Sequence, residues 1–462
     1  MSGIGLINRH IFFSFLLLIF ASLAASLLAQ APPSSSSLPE GEIYMRITTS
    51  RIHRYKVAVA AMPAASAALA DSQEAVRRIR EIVISDLDFS LRFELVNNSF
   101  DELTIAALAS AKGAVDFRGW RATGAEYLVA GTFFELGGRP VVEIRVYDLG
   151  LGDLVFLKNY TVDFANRRLA AHRISDDVVL NVTGERGVAS TRIAFVRDHP
   201  DNVTEIYTSD YDGYNASRIT NENTIVKLPS WSPDGVRLAF TAFKNIVTDP
   251  DLYVVNLAGG EVNLLHAAIG VDMVANWCER NGFLAFSSGV SGNQEIYFLR
   301  PGETRPNRLT FSYADDFDPT WSPNGEELAF NSTRAGNPHI YLMGADGLNV
   351  RRLTFESRNT TPRWRPLPYG DKILVTSEIN GIFQIAIIDT NGDNFIQLTT
   401  QGENRDATWS PDGLHIVFTS NRRGGRGRFE IYTMDWDGNS QRPLHSSWTP
   451  GKEASWSPYL DR

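Results

Sequence analysis

The feature that most constrains this chain is a short segment that returns at a nearly fixed interval. A Trp-Ser-Pro-Asp-Gly segment stands before a short apolar stretch, and full or looser copies of it begin at Trp231, Trp277, Trp321, Trp364, Trp409 and Trp456. Consecutive copies lie 46, 44, 43, 45 and 47 residues apart. A period of this kind is typical of architectures in which each repeat is one supersecondary unit.

Each period contains the same succession of strand signals. A Pro-Asp/Asn-Gly turn leads into a stretch such as Arg237–Phe240, then into an Ile-Tyr stretch, and then into a short stretch ending in Leu-Thr. Proline presets φ at the first corner of the turn, and glycine supplies its left-handed exit. The stretch after the turn is apolar on consecutive residues, so both of its faces must be covered. Four-stranded sheets stacked around an axis meet that need, which predicts a six-bladed β-propeller.

The two ends of the repeat region predict how the ring closes. The first repeat, from Thr191, has no Trp segment before it, and the chain ends on a Trp segment at Trp456. We expect Ala454–Pro458 to form the innermost strand of the first blade, because that pairing removes two open sheet edges. With one per blade at constant phase, the tryptophans are interpreted as core residues rather than as ligand stackers.

Composition limits the classes of function. The 462 residues include 44 Lys and Arg against 53 Asp and Glu, a formal net charge of −9. Phosphate binding needs a basic face, so nucleic acid is not expected as a partner. Cys278 is the single cysteine, and there is no Cys/His spacing for zinc, so we expect a buried thiol and no metal or other cofactor.

The part of the chain before the repeats predicts three segments. Residues 1–31 are typical of a cleaved export signal, although their apolar run is nearly long enough for a membrane anchor. Cleavage would leave an exported protein with no direct membrane insertion. Residues 32–41 form a Pro/Ser-rich linker. Residues 42–184 predict a compact α+β domain, which is followed by the propeller over residues 191–460.

Within the α+β domain, sequence patterns predict strands and two helices. One helix is indicated by apolar residues at helical spacing from Ala75 to Leu87, and the other runs from Asn166, its expected cap, to Asn181, with Gly184 as its stop. The predicted strands are Tyr55–Met62, Glu126–Leu136, Val141–Leu149 and Asp153–Val162. The last three read as an antiparallel meander with Gly-rich turns.

A more specific signal lies outside the Trp segments. Arg168–Asp176 reads Arg-Leu-Ala-Ala-His-Arg-Ile-Ser-Asp, Thr183–Gly187 and Thr191–Val196 follow it, and Trp120–Gly131 forms a further signature. In these stretches the chain resembles the TolB family, the periplasmic propeller proteins of the Tol–Pal envelope system. The resemblance covers nearly all of the chain after the export signal. It implies an α+β amino-terminal domain, an all-β propeller of six WD40-like (PD40) repeats, a periplasmic location and no catalysis.

The resemblance also implies two protein partners. The propeller is expected to bind the lipoprotein Pal through the loops that lead into inner strands, with candidate residues Ile269, Val271, Asp272, Met273, Tyr313, Asp315, Asp316, Phe317 and Thr360. Apolar anchors among charges are what a protein interface needs. The mature amino-terminal arm is expected to bind TolA, with candidate residues Glu42, Ile43, Tyr44, Met45, Arg46 and Ile47. The implied role is an adaptor that supports envelope integrity and outer-membrane constriction at division.

The residues leave one alternative open, a secreted propeller hydrolase with a site in the central channel. It would require titratable or metal-binding residues that converge in the channel, whereas a binding protein would present one broad face of mixed polarity. His172, Ser175 and Asp176 fall on one helix at i, i+3 and i+4, which is too parallel for a catalytic triad. The Asp-x-Asp-Gly segments, such as Asp210–Gly213, lack a closing glutamate and are interpreted as hairpin turns rather than calcium loops.

Overall fold

The computed structural model describes residues 53–63, 70–96, 115–246, 249–424, 427–445 and 450–460. In those ranges, none of the helices combines the length and the apolar character needed to cross a bilayer. The predicted arm Glu42–Ile47 lies outside the described residues, as do the predicted signal and linker segments.

The amino-terminal domain is a five-stranded sheet with helices. Its elements are β1 Tyr55–Val59, α1 Ala70–Phe89, β2 Phe93–Leu95, α2 Phe117–Ala122, β3 Tyr127–Leu136, β4 Arg139–Asp148, β5 Asp153–Thr161 and α3 Arg167–Thr183. The strand order is β2-β1-β3-β4-β5, with β1 parallel to both of its neighbours and the β3-β4-β5 meander antiparallel. One core contains Val83 of α1, Ile144 of β4 and Val178 of α3, so both long helices cover the same sheet.

The ends of α3 follow the sequence only in part. Gly184 has φ 78° and its N–H donates to the Leu180 carbonyl, so the left-handed stop is confirmed. Asn166 occupies the N-cap position, but its side chain does not cap the helix. Its amide N–H donates instead to Asp163 Oδ2 at 2.9 Å, in the turn before the helix.

The remainder of the described chain forms six four-stranded sheets. The strands are β6 Arg192–Asp198, β7 Thr204–Asp210, β8 Ser217–Arg218, β9 Val226–Trp231, β10 Arg237–Ile246, β11 Asp249–Asn256, β12 Val262–His266, β13 Asp272–Trp277, β14 Leu284–Ser288, β15 Glu295–Leu299, β16 Asn307–Arg308, β17 Asp316–Trp321, β18 Glu327–Ser332, β19 His339–Gly344, β20 Arg351–Arg352, β21 Asn359–Trp364, β22 Lys372–Ile379, β23 Ile382–Asp389, β24 Ile396–Gln397, β25 Asn404–Trp409, β26 His415–Ser420, β27 Glu430–Asp435, β28 Arg442–Pro443 and β29 Lys452–Trp456. Each Trp segment supplies the inner strand of a blade, and the strands after it follow outward in chain order. The six-bladed propeller is therefore confirmed.

The ring closes through the end of the chain, as predicted. The first blade has the order β29-β6-β7-β8, with Trp456 opposite Ile193. The strand runs over Lys452–Trp456 rather than Ala454–Pro458. Ser457 extends the pairing through one backbone bond to the Arg192 carbonyl, and proline has no N–H with which to continue it.

The tryptophans are core residues, as predicted. All six are at least nine-tenths buried, and two of them bond the neighbouring blade through the indole N–H. Trp231 Nε1 donates to the Ser455 carbonyl at 3.1 Å, and Trp409 Nε1 donates to the Arg363 carbonyl at 3.0 Å. Cys278 is fully buried, also as predicted.

Candidate partner-binding face

The two faces of the propeller differ in the connections that they carry. The turn after each Trp and the turn after each third strand lie on one face, here called the turn face. The connections between the second and third strands, and those between blades, lie on the opposite face, here called the loop face. Variable connections on a rigid scaffold are the usual place for binding residues. Every candidate of the propeller lies in a loop-face connection or in the first half of an inner strand.

Four candidates on the loop face are exposed to solvent. Ile269 and Tyr313 expose 88% and 90% of their surface, and Val271 and Asp315 are also exposed. Soluble proteins keep most large apolar side chains covered, and aromatic side chains are the common anchors of protein interfaces. These side chains are available to a partner without rearrangement.

Two candidates are buried and cannot touch a partner in this conformation. Asp272 and Asp316 are the first residues of β13 and β17, and neither exposes any surface. Burial raises the pKa of Asp272 to about 7, and repulsion from Asp251 adds to the shift. Asp316 lies against Arg334 at 2.8 Å, although burial still raises its pKa. Their place in the fold is beneath the exposed loops.

The other candidates are half-buried along the inner strands. Met273 pairs with Ser287, and Phe317 pairs with Asn331. Thr360 lies in β21 and its hydroxyl donates to the Thr376 carbonyl at 3.4 Å. The structure thus brings the nine candidates to one side of blades 3 to 5, and divides them into exposed, half-buried and buried positions.

Two exposed aromatic side chains extend this face beyond the candidates. Phe311 and Phe355 expose 78% and 69% of their surface and follow Leu-Thr at the end of the outer strands of blades 3 and 4. Each ring carries an arginine, Arg308 at 4.5 Å and Arg352 at 4.9 Å from the ring centroid. The repeated Leu-Thr-Phe in the sequence is the signal that could have identified both.

Around the central channel, most inner strands have one residue with a left-handed backbone conformation. Three residues before the Trp, five inner strands place a residue at positive φ, and these residues are Leu228, Asp318, Thr361, Asp406 and Glu453. Each lies where the pairing with the second strand shifts register, as expected for a β-bulge. In blade 3 the shift falls between Val274 and Asn276 instead.

Two of these channel residues, Asp406 and Glu453, are carboxylates that line a cavity of about 150 Å³. Asp318 pairs with Arg363 at 3.0 Å, and Glu453 accepts a bond from the Leu228 N–H at 2.7 Å. Burial raises the pKa of Asp406 to about 7, and repulsion from Glu453 and Asp318 adds to the shift. The residues that line the cavity include serine and threonine hydroxyls but no histidine or cysteine, so this lining holds no Ser–His or Cys–His pair.

The turn face of the first blade is covered by the amino-terminal domain. Asp86 of α1 is buried at this contact and accepts bonds from His172 Nδ1, Ser175 Oγ and Tyr211 Oη, at 2.8, 2.8 and 2.7 Å. Phe89, one turn further along α1, stacks on the His415 ring at 4.0 Å. Burial opposes a charge on His172, but the attraction and hydrogen bond of Asp86 outweigh it and raise the pKa of the imidazole.

Helix α3 contributes to the same domain contact, which explains the specific sequence of Arg168–Asp176. Arg168 bonds Asp212 and lies 3.4 Å from Asp210 Oδ2, while its guanidinium stacks on Tyr214 at 3.9 Å. Asp176 accepts the N–H groups of residues 189 and 190 in the connection to the propeller. His172, Asp210 and Asp212 lie close enough to hold a metal ion, but the Arg168 guanidinium already pairs with both carboxylates. The triad-like residues and the Asp-x-Asp-Gly turn are therefore parts of a domain contact.

Comparison with known proteins adds four similarities. A family model described as the TolB beta propeller domain matches residues 179–460, and one described as the TolB amino-terminal domain matches residues 43–155. The chain is 33% identical over 275 residues to a Tol-Pal system protein TolB of Desulfosudis oleivorans, covering 59% of this chain and 61% of that one. It is 35% identical over 243 residues to a protein TolB homolog of Chlorobium chlorochromatii, covering 53% and 54%.

A solved structure supports the fold alone. The crystal structure of TolB from Acinetobacter baumannii superposes with a TM-score of 0.70 at 24% identity, covering 88% of this chain and 97% of that one. The matched stretches span only about half to three fifths of the length of the two curated relatives, 54% and 61%.

Proposed function

The chain belongs to the TolB family, and we propose that it acts as a non-catalytic periplasmic adaptor of the Tol–Pal system. Its loop face would bind the lipoprotein Pal, and its amino-terminal arm would bind TolA. The observation that carries the proposal is the division of the propeller into two faces. The turn face of the first blade is engaged by Asp86 and Phe89, whereas the loop face exposes Ile269 and Tyr313.

The composition of the loop face supports a protein as its ligand. Large apolar side chains stand among charged ones, as they do in protein interfaces. The pairing of exposed aromatic rings with arginines, as at Phe311 and Phe355, is typical of interface anchors. A hydrolase is not favoured, because the relatives that match the chain are named as Tol-Pal proteins and the cavity lining holds no Ser–His or Cys–His pair.

The experiment measures binding of each partner to separate variants of the full-length protein. Ile269→Ser with Tyr313→Ala should weaken binding of the soluble part of Pal by roughly tenfold or more, because two exposed anchors are lost. Binding of TolA should be unchanged. Deletion of the residues before Ser50 should have the opposite pattern.

The control is Leu151→Ala, which removes an equally exposed apolar side chain from the amino-terminal domain. It should bind both partners like the parent protein. If the double variant of the loop face binds Pal with the parent's affinity, the assignment of this face is wrong.

A further inference from the structure

Because the six blades are repeats, the residues at one equivalent position can be compared across all of them. The residue at the start of each third strand, directly before the Ile-Tyr or its equivalent, is at least nine-tenths buried near the loop face. These residues are Glu205, Asp251, Glu295, His339, Gln384 and Glu430. In blades 1, 3 and 4 the adjacent outer strand carries an arginine two residues before a threonine, and these arginines are Arg218, Arg308 and Arg352.

In blades 1 and 3 the arginine and the buried residue form an ion pair. Arg218 Nη2 donates to Glu205 Oε1 at 2.7 Å, and Arg308 Nη2 donates to Glu295 Oε1 at 2.9 Å. Both glutamates are fully buried, whereas the side chains of Arg218 and Arg308 are 34% and 27% exposed. In blade 5 both positions are uncharged, since Gln384 occupies the buried position and Gln397 replaces the arginine. In these three blades the charges therefore cancel.

In blade 4 the charges at these two positions do not cancel. Arg352 is present, but the buried residue beneath it is His339. Burial lowers the pKa of His339, and the nearby Arg352 lowers it further, so the imidazole is neutral. In the described part of the chain, Arg352 pairs with no carboxylate; its Nε donates to the Thr354 carbonyl at 2.7 Å and its Nη2 donates to the Phe355 carbonyl at 3.1 Å. Its positive charge is left uncompensated.

The surroundings of Arg352 supply an apolar contact beside this charge. The guanidinium lies 4.9 Å from the centre of the Phe355 ring, which is largely exposed on the loop face. Thr360, a candidate of the partner face, is the second residue of the inner strand β21, only a few residues further on. A cation held against an exposed aromatic ring suits a ligand that offers a carboxylate next to an apolar group.

We propose that Arg352 and Phe355 form a receptor site for an acidic side chain of the protein that docks on the loop face, with an apolar neighbour of that side chain packed on Phe355. The inference rests on the proposed function, because it concerns the same face and the same lipoprotein. A polyanion or free phosphate is less suited to the site. Two of the guanidinium donors are already engaged with carbonyls, and the net charge of −9 repels a highly charged ligand.

The most specific test introduces a buried carboxylate that pairs with Arg352 and so occupies the proposed site. His339→Glu places a carboxylate where blades 1 and 3 carry Glu205 and Glu295, so it should pair with Arg352 and leave the melting temperature at or above the parent's. The same variant should weaken binding of the soluble part of Pal by roughly tenfold, because the guanidinium is no longer free for a charged hydrogen bond. Arg352→Gln should weaken binding to a similar extent.

Arg351→Gln is the matched control, since it makes the same change of charge one residue away on the other side of the strand. It should bind within about twofold of the parent at the same ionic strength. If the parent binds Pal and both His339→Glu and Arg352→Gln bind it equally well, this inference is wrong while the proposed function stands. If the parent does not bind Pal at all, the proposed function itself has failed.

Two further outcomes would overturn the site. A melting temperature of His339→Glu well below the parent's would show that Arg352 is not placed as Arg218 and Arg308 are. Competition by inorganic phosphate at matched ionic strength, lost in Arg352→Gln, would show a general anion site rather than a receptor for an acidic side chain.

Discussion

At the scale of single residues, the contact between the two domains depends on buried groups whose charge state is set by their neighbours. Asp86 is compensated by three donors, one of which, Tyr211, comes from the propeller. His415 is the opposite case, because it is fully buried against Phe89 and neither of its ring nitrogens has a hydrogen-bond partner in the described structure. Burial lowers its pKa to about 4.

This environment predicts a specific loss of stability in acid. The unfolded chain protonates His415 near pH 6.5 and the folded chain only near pH 4, so the contribution is complete above pH 6.5 and is lost as the pH falls from there toward 4. The loss should reach about 3 kcal/mol, because each unit of difference between the pKa values of the unfolded and folded states corresponds to about 1.4 kcal/mol. His415→Phe keeps the stacked ring and removes the titration. Its free energy of unfolding relative to the parent should therefore rise as the pH is lowered.

Urea unfolding at several pH values between 7 and 4 measures this difference. His53→Gln changes an exposed histidine and should follow the parent at every pH. A difference between His415→Phe and the parent that stays constant with pH would contradict the assignment.

At the scale of elements, five of the six blades are built from three long strands and a much shorter outer one. The outer strands of blades 1, 3, 4, 5 and 6 have only two residues, which leaves little open edge for unwanted pairing. The inner strands are bulged at one position near the channel, except that blade 3 shifts the irregularity by a residue. The first blade depends on an inner strand from the far end of the chain, β29.

Among the inner strands, substitutions in β29 should cause the largest loss of stability. Trp456 is buried, and its indole N–H donates to Thr191 Oγ1 at 2.8 Å across the closure. Trp456→Ala should lower the free energy of unfolding by about 3–5 kcal/mol, the usual cost of removing a large buried side chain. Denaturant titration followed by circular dichroism measures it.

The comparison variant is Trp436→Ala, which removes a half-buried tryptophan from a turn without touching the closure. Its loss of stability should be clearly smaller. Equal losses in the two variants would mean that the closure adds nothing beyond the burial of an aromatic ring.

At the scale of the molecule, the propeller uses its two faces for different contacts. The turn face of the first blade and the end of the chain receive Phe89, which packs against Tyr211, His415 and Trp456. The loop face carries the exposed aromatic rings and the uncompensated Arg352. Because the domain contact involves β29 as well, the amino-terminal domain and the ring closure support each other.

This coupling predicts that the two domains unfold together and that Phe89 contributes a large part of the coupling. Phe89→Ala should lower the melting temperature and split the calorimetric transition into two, since the buried ring contributes about 3–5 kcal/mol at the contact. Phe311→Ala removes an exposed phenylalanine from the loop face and should leave one transition at the parent's temperature. A single transition in Phe89→Ala would show that the domains are coupled by other contacts.

The sequence by itself determined the architecture, because its determinants are local and repeated. A Trp every 45 residues or so, a Pro-Asp-Gly turn and consecutive apolar residues specify a blade without knowledge of any distant residue. The missing Trp segment before Thr191 and the surplus one at Trp456 likewise specified the closure. The exposed positions Ile269 and Tyr313 were also predictable, since large apolar residues in variable loops have no strand in which to be buried.

Only the tertiary structure decided what depends on groups far apart in the chain. It placed Asp272 and Asp316 beneath the loop face, where each pairs with a buried serine of the second strand of its own blade. It joined Asp86 to His172 and Tyr211, which lie 86 and 125 residues away, and so turned a triad-like helix into a domain contact. It also left Arg352 without the glutamate that its counterparts have. The charge balance of a site is a sum over neighbours in space, and only the folded chain selects those neighbours.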